Sequence, residues 1–123
     1  MDTPNQSVIG DAISTEIAPH YTWGEVCDGW VLQDRSDLSV IQERVPPGAG
    51  EHEHFHQKAN QFFFILSGEA TIESPERKVF LKAGQGLEVP AKIKHRFVNH
   101  SATDVHFLVI SSPTTRGDRV NSP

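Results

Sequence analysis

Residues 48–68 read GAGEHEHFHQKANQFFFILSG, and three of the seven histidines of the chain, His52, His54 and His56, fall within five residues of this stretch. Successive side chains of a strand alternate between its two faces, so in an extended segment all three imidazoles project the same way. Imidazole is the commonest protein ligand for a transition metal, and two histidines at i and i+2 can share one ion if other elements complete the shell. A solvated, histidine-rich loop is the plain alternative. Immediately afterwards Gln61 to Leu66 carries three consecutive phenylalanines, a strongly β-prone run closed by Ser67-Gly68.

The flanking sequence continues in the same manner. Upstream, Leu38 to Val45 reads as a strand, broken by Pro46-Pro47-Gly48 because proline cannot donate to a ladder. Before it come His20 to Gly24, a short strand at Gly29 to Gln33 and a turn at Asp34 to Asp37, with residues 1–18 left as a polar arm or an edge strand. Downstream, Glu69 to Glu73 and Lys78 to Leu81 flank a hairpin turn at Ser74-Pro75-Glu76-Arg77. Leu87 to Val89, Lys94 to Asn99 and Val105 to Ile110 complete the set, and the polar residues from Ser112 to Pro123 read as a surface tail. No window carries a sustained helical period. Short strands at even spacing predict an all-β fold of sandwich or barrel type, specifically a jelly roll.

The 123 residues suit one domain over 1–123 with one real core. A net charge of -5 without any basic run argues against nucleic acid and anionic membrane as partners. No apolar run approaches the roughly 20 residues that cross a bilayer, and no basic-then-apolar leader is visible at the start. The single cysteine, Cys27, forbids an intrachain disulfide and reads as a packed core thiol, so a cytoplasmic location is the expectation.

Two spaced patterns carry a resemblance. The first is Gly48, five residues, His54-Phe55-His56, four residues, Gln61, six residues and Gly68; the second is Gly84, five residues, Pro90, Ala91, Lys92, two residues, His95, three residues and Asn99. In order and spacing they resemble the two motifs of the cupin family, with Gln61 in place of a glutamate and Lys92 in place of a glycine. The resemblance implies a small jelly-roll β-barrel with its motifs over residues 48–99. It also implies one divalent transition metal (Zn, Fe, Ni, Mn or Cu) on His54, His56 and His95, with Gln61 at the position of the acid. His52 falls outside this frame. Loss of the metal in a degenerate member of the family is the alternative. An amide ligand neutralises none of the ion's charge, so the ion would polarise a substrate oxygen more strongly than in a carboxylate site.

Strand parity supplies further candidates. Phe63 and Ile65 share parity with Gln61, and Phe97 with His95, so these three are expected to line an apolar pocket above the metal, to pack the core, or both. Glu43 shares parity with Ile41 and Val45. If that face points inward, Glu43 is a candidate general base or a partner orienting a ligand histidine; if the strand turns its other face inward, Glu43 is a surface residue. Lys92 is expected in a turn that needs no positive φ. His100, His106 and the Arg116-Gly117-Asp118 triplet are read as surface features. The functional expectation is a metal-dependent enzyme on a small organic substrate, of dioxygenase or isomerase type. A non-catalytic module that binds a small molecule or senses metal is the alternative, and a homodimer formed through sheet edges is the expected assembly.

Overall fold

The computed structural model describes residues 8–122 and contains eleven strands and no helix among them. They are β1 (His20–Trp23), β2 (Cys27–Asp34), β3 (Ser39–Val45), β4 (His54–His56), β5 (Asn60–Ser67), β6 (Glu69–Glu73), β7 (Lys78–Lys82), β8 (Gly86–Val89), β9 (Arg96–Val98), β10 (Val105–Ser112) and β11 (Arg119–Asn121). One sheet has six antiparallel strands in the order β1-β2-β3-β10-β5-β8. Opposite it lie the three-stranded sheet β7-β6-β9 and the two-stranded sheet β11-β4. Isolated bridges Gly50–Val98 and His54–His95 tie these two small sheets together. The result is a jelly roll of all-antiparallel pairs, the architecture expected from the strand spacing.

Register decides what the six-stranded sheet presents to the interior. Across β3, β10 and β5 the opposed residues run Ile41–Val109–Phe63 and Glu43–Phe107–Ile65, with Ser111 facing Gln61. Directly opposed residues of an antiparallel pair share a face, so Gln61, Phe63, Ile65, Ile41 and Glu43 all point inward. The inward face is apolar over most of its length, and Phe63, Ile65, Phe97 and Phe107 are each at most 2% exposed. Phe97 stacks on Phe107 at a ring separation of 3.9 Å and on Phe63 at 5.8 Å. Cys27 is fully buried in the same core, as the sequence suggested.

Three features depart from the sequence reading. The strand expected over Lys94 to Asn99 is shortened to β9, and His95 stands before it in an isolated bridge. The polar tail forms β11, which pairs with β4 in the register Arg119–His56 and Asn121–His54. It also carries Asp118, whose carboxylate accepts backbone N–H bonds from Gln57, Lys58 and Ala59. The tail is therefore fastened to the histidine strand, and the Asp of the Arg-Gly-Asp triplet is its clasp. Lys92, finally, adopts a φ of +74°. The expectation of an ordinary turn is corrected: this lysine occupies the left-handed region that the motif's glycine would fill without strain. Its N–H bonds the His56 carbonyl at 2.6 Å, which fixes the turn against β4.

Candidate functional site

The histidine pair of β4 and His95 meet because two backbone segments lock together. His54 N–H donates to the His95 carbonyl at 3.0 Å and His95 N–H returns the bond to the His54 carbonyl at 2.9 Å. His56 lies two residues along the same strand face. One nitrogen from each ring, His54, His56 and His95, comes within 4.8 Å of the others, and all three side chains are buried. His52, one of the three clustered histidines in the sequence, is exposed and stays outside the group. It contributes through its backbone instead: its carbonyl accepts a bond from His54 Nδ1 at 2.8 Å. The Ile93 carbonyl does the same for His95 Nδ1 at 2.9 Å. A carbonyl can only accept, so each Nδ1 carries the proton and each Nε2 presents a lone pair.

The donor set fits a metal ion. His95 Nε2, His56 Nδ1 and Gln61 Oε1 are buried and bond to no protein atom. An unsatisfied buried polar atom is costly, and a cation among the converging histidines would satisfy the open His95 and His56 nitrogens. Gln61 is oriented for this, since its Nε2 donates to Ser111 Oγ at 3.2 Å and leaves Oε1 free. Burial holds all three imidazoles below the usual histidine range. For His56, burial followed by the neighbouring His54 and His95 rings brings the value to about 4. The rings are thus neutral at pH 7, the protonation state that ligates. Nitrogen-rich donors with a single amide oxygen suit zinc, iron, nickel or copper better than magnesium or calcium.

Beside the histidines lies a cavity of about 270 Å³ lined by Tyr21, Trp23, Ile41, Glu43, Glu51, His54, His56, Gln61, Val109, Thr115 and Arg119. Glu43 thus faces the cavity, the first of the two orientations that the sequence left open. Phe63, Ile65 and Phe97 point inward but do not line this cavity. They lie in the close-packed core, where Phe63 meets the His95 ring edge-on at 6.1 Å. Of the two roles expected for them, core packing is the one seen here, and Phe63, Phe97 and Phe107 form a cluster of stacked or tilted rings. Apolar lining comes instead from Trp23, Ile41 and Val109.

Glu43 is held by Tyr21, whose Oη donates to Glu43 Oε2 at 3.1 Å. That bond spans a strand. Tyr21 opposes Gly29 in β2, and Gly29 opposes Glu43 in β3. The Tyr21 ring lies across Gly29 so closely that a Cβ there would meet Cζ at 2.2 Å. Glycine at position 29 is what lets the phenol reach the carboxyl. Burial first, and then the charge of Glu51, pushes the Glu43 carboxyl up to about 8, against the opposing effect of the Tyr21 bond. Burial likewise raises Glu51, whose Oε1 accepts the Phe97 N–H at 2.9 Å. Burial and the nearby Glu43 hold the Tyr21 phenol above its ordinary range.

Tyr21, Gly29, Glu51 and Arg119 were not singled out in the sequence. Parity fails for Glu51, because residues 51–53 lie outside any strand. The three residues of β11 are too few to show a pattern, and a glycine's role as a gap appears only when the neighbouring ring is in place.

Comparison with known proteins agrees with this geometry. The family model described as a cupin domain matches residues 41–111, more than half of the chain. Protein SchB of Streptomyces halstedii is 33% identical over 69 residues, covering 56% of this chain and 50% of that protein. Polyketide synthase CurC of Streptomyces cyaneus is 28% identical over 67 residues, covering 54% and 44%. These matches therefore span about half the length of the two curated relatives. Among solved structures, the polyketide cyclase RemF from Streptomyces resistomycificus superposes with a TM-score of 0.79 at 17% identity, covering 94% of this chain and 87% of that one. At that identity the likeness concerns the fold. Both spaced motifs lie largely within the matched segment, their histidines converge on one point, and the jelly roll recurs in a solved relative: the chain belongs to the cupin family.

Proposed function

We propose that this protein is a divalent-metal-dependent enzyme that moves a proton next to a carbonyl group of a small organic substrate, an isomerase- or cyclase-type reaction. The observation that carries this reading is the shared cavity, which His54, His56 and Gln61 line together with Glu43 and Glu51. His54, His56, His95 and the Gln61 amide oxygen would hold the metal. Once bound, the ion supplies Lewis acidity toward a carbonyl oxygen. Everything else falls to the chain. Glu43 takes a proton from the carbon beside the carbonyl and returns it at another position, a task suited to a carboxyl whose pKa lies near neutrality. Tyr21 Oη fixes the Glu43 carboxyl in place. The Phe97 N–H anchors Glu51, and Trp23, Ile41 and Val109 keep the reacting carbon away from bulk water.

A polyketide synthase and a polyketide cyclase among the similar proteins favour the same chemistry, since polyketide chains carry repeated carbonyls with acidic carbons between them. Between this and dioxygenation, the Glu43–Tyr21 arrangement favours proton transfer because it holds a carboxyl in position at the cavity. The test is hydrogen–deuterium exchange beside the carbonyl, followed by NMR, for small keto acids, diketones and their esters with the zinc-, nickel-, manganese- and iron-loaded protein. Exchange above background that Glu43→Gln abolishes at unchanged metal content is the expected result. Oxygen uptake coupled to substrate loss would replace this reading by dioxygenation. Tight binding without exchange or turnover would make the protein a binding module.

A further inference from the structure

The C-terminal strand brings one feature to the cavity that the proton-transfer chemistry does not use. In β11, Arg119 opposes His56 and Asn121 opposes His54. Opposed residues stand about 4.5–5.5 Å apart at Cβ and share a face, so the Arg119 side chain rises beside the His56 imidazole and lines the cavity at its exposed rim. Its Nε donates to Asn121 Oδ1 at 2.9 Å. This bond orients the guanidinium and leaves both terminal amino groups without a protein partner among the described residues. Glu43 and Glu51 line the same space and feel the Arg119 charge, but among the described residues neither forms an ion pair with it. Arg119 is the only arginine or lysine among the residues lining the cavity.

We infer that Arg119 is a specificity-determining residue that binds the carboxylate of the substrate, which makes the preferred substrate a small carbonyl compound carrying a carboxylate, of the 2-oxo acid class. The inference rests on the proposed carbonyl chemistry and names the substrate class for that same site. A planar guanidinium with two free amino groups matches a planar carboxylate through two parallel bonds. The cavity of about 270 Å³ accommodates a molecule of a few carbon atoms in reach of both Arg119 and the histidines. Without β11, no arginine or lysine would line the cavity.

The experiment compares 2-oxobutyrate with its neutral methyl ester by isothermal titration calorimetry. The protein is metal-loaded wild type, Arg119→Gln and Arg119→Lys, with metal content measured on each. Wild type should bind the acid about tenfold more tightly than the ester, the effect of a charge-assisted pair at a partly solvated rim. Arg119→Gln should remove that preference while leaving ester affinity and metal content unchanged. Arg119→Lys, which keeps the charge and loses the fork, should fall between. Equal binding of acid and ester by wild type, or equal weakening of both in Arg119→Gln, overturns the inference. If deuterium exchange of the ester persists in either case, the proposed function stands without the carboxylate site. Binding of neither compound overturns the inference, and absence of exchange from every carbonyl compound then removes the functional reading as well.

Discussion

Replacing Asp118 with alanine tests whether the tail is part of the site. The Asp118 carboxylate receives Gln57 N–H at 2.9 Å and Ala59 N–H at 2.9 Å, one on each oxygen, with Lys58 N–H shared between them at 3.2 and 3.1 Å. These three donors form the turn that carries the chain from His56 to Gln61, two of the residues proposed above to hold the metal. Gln57 and Lys58 are exposed, so water replaces the lost acceptor there at little cost. Ala59 is 1% exposed, and stranding its N–H costs about 2 kcal/mol. For a chain of this length that corresponds to a fall in Tm of about 6–10 °C. Asp118→Asn, which keeps one acceptor oxygen, should lose less.

The effect also has a pH signature. Burial raises the Asp118 carboxyl, but the bonds from Ala59, Lys58 and Gln57 together outweigh it and hold the group below its ordinary range. A depressed folded-state pKa contributes stability that is full above the unfolded value of about 3.9 and is lost as pH falls through the folded value. The gap between wild type and Asp118→Ala should therefore be constant from pH 7 to pH 5 and close only below about pH 4. Thermal denaturation across that range measures it, and chelator competition on the same samples measures metal affinity, which should fall because the turn no longer fixes His56 against Gln61. A Tm within about 1 °C of wild type at pH 7, with metal affinity intact, would refute the clasp and detach the tail from the site.

The remaining predictions concern the donor set and one strained residue. Alanine in place of His54, His56 or His95 should each sharply lower transition-metal occupancy measured by elemental analysis, whereas His52→Ala should not, because only its carbonyl reaches the site. Gln61→Glu should tighten divalent-metal binding and slow deuterium exchange at full occupancy, since the added negative charge weakens the ion as a Lewis acid; unchanged affinity would place Gln61 outside the coordination sphere. Lys92→Gly should stabilise the fold by about 0.5 kcal/mol in chemical denaturation, the relief of a left-handed lysine less the chain entropy of glycine; a loss of stability would show that the lysine side chain contributes at this turn.

What the sequence by itself determined is local or periodic. Leu38 to Val45 and Gln61 to Leu66 were legible as strands from their β-prone residues and bounding turns, and parity with Gln61 marked Phe63 and Ile65 as one face, while the inward face of the first strand stayed open. The resemblance to the two cupin motifs singled out His54, His56 and His95 as the rings that converge, and the structure brings them together. Parity also placed Phe63, Ile65 and Phe97 inside. That Phe97 stacks on Phe107 in the core depended on the strand that brings Phe107 opposite, which parity alone does not show. The left-handed backbone at Lys92 was hidden because the residue itself gives no sign of it.

Only the tertiary structure decided how the cavity is furnished. Glu43 faces it because the register of β3 against β10 sets that strand's inward face. Tyr21 reaches Glu43 because Gly29 leaves the crossing open. Arg119 arrives from the far end of the chain because Asp118 ties β11 to the turn after β4. Each of these depends on contacts between residues distant in sequence. Such contacts leave no periodic trace, so the three histidines were legible in one dimension and the residues around them became visible only in three.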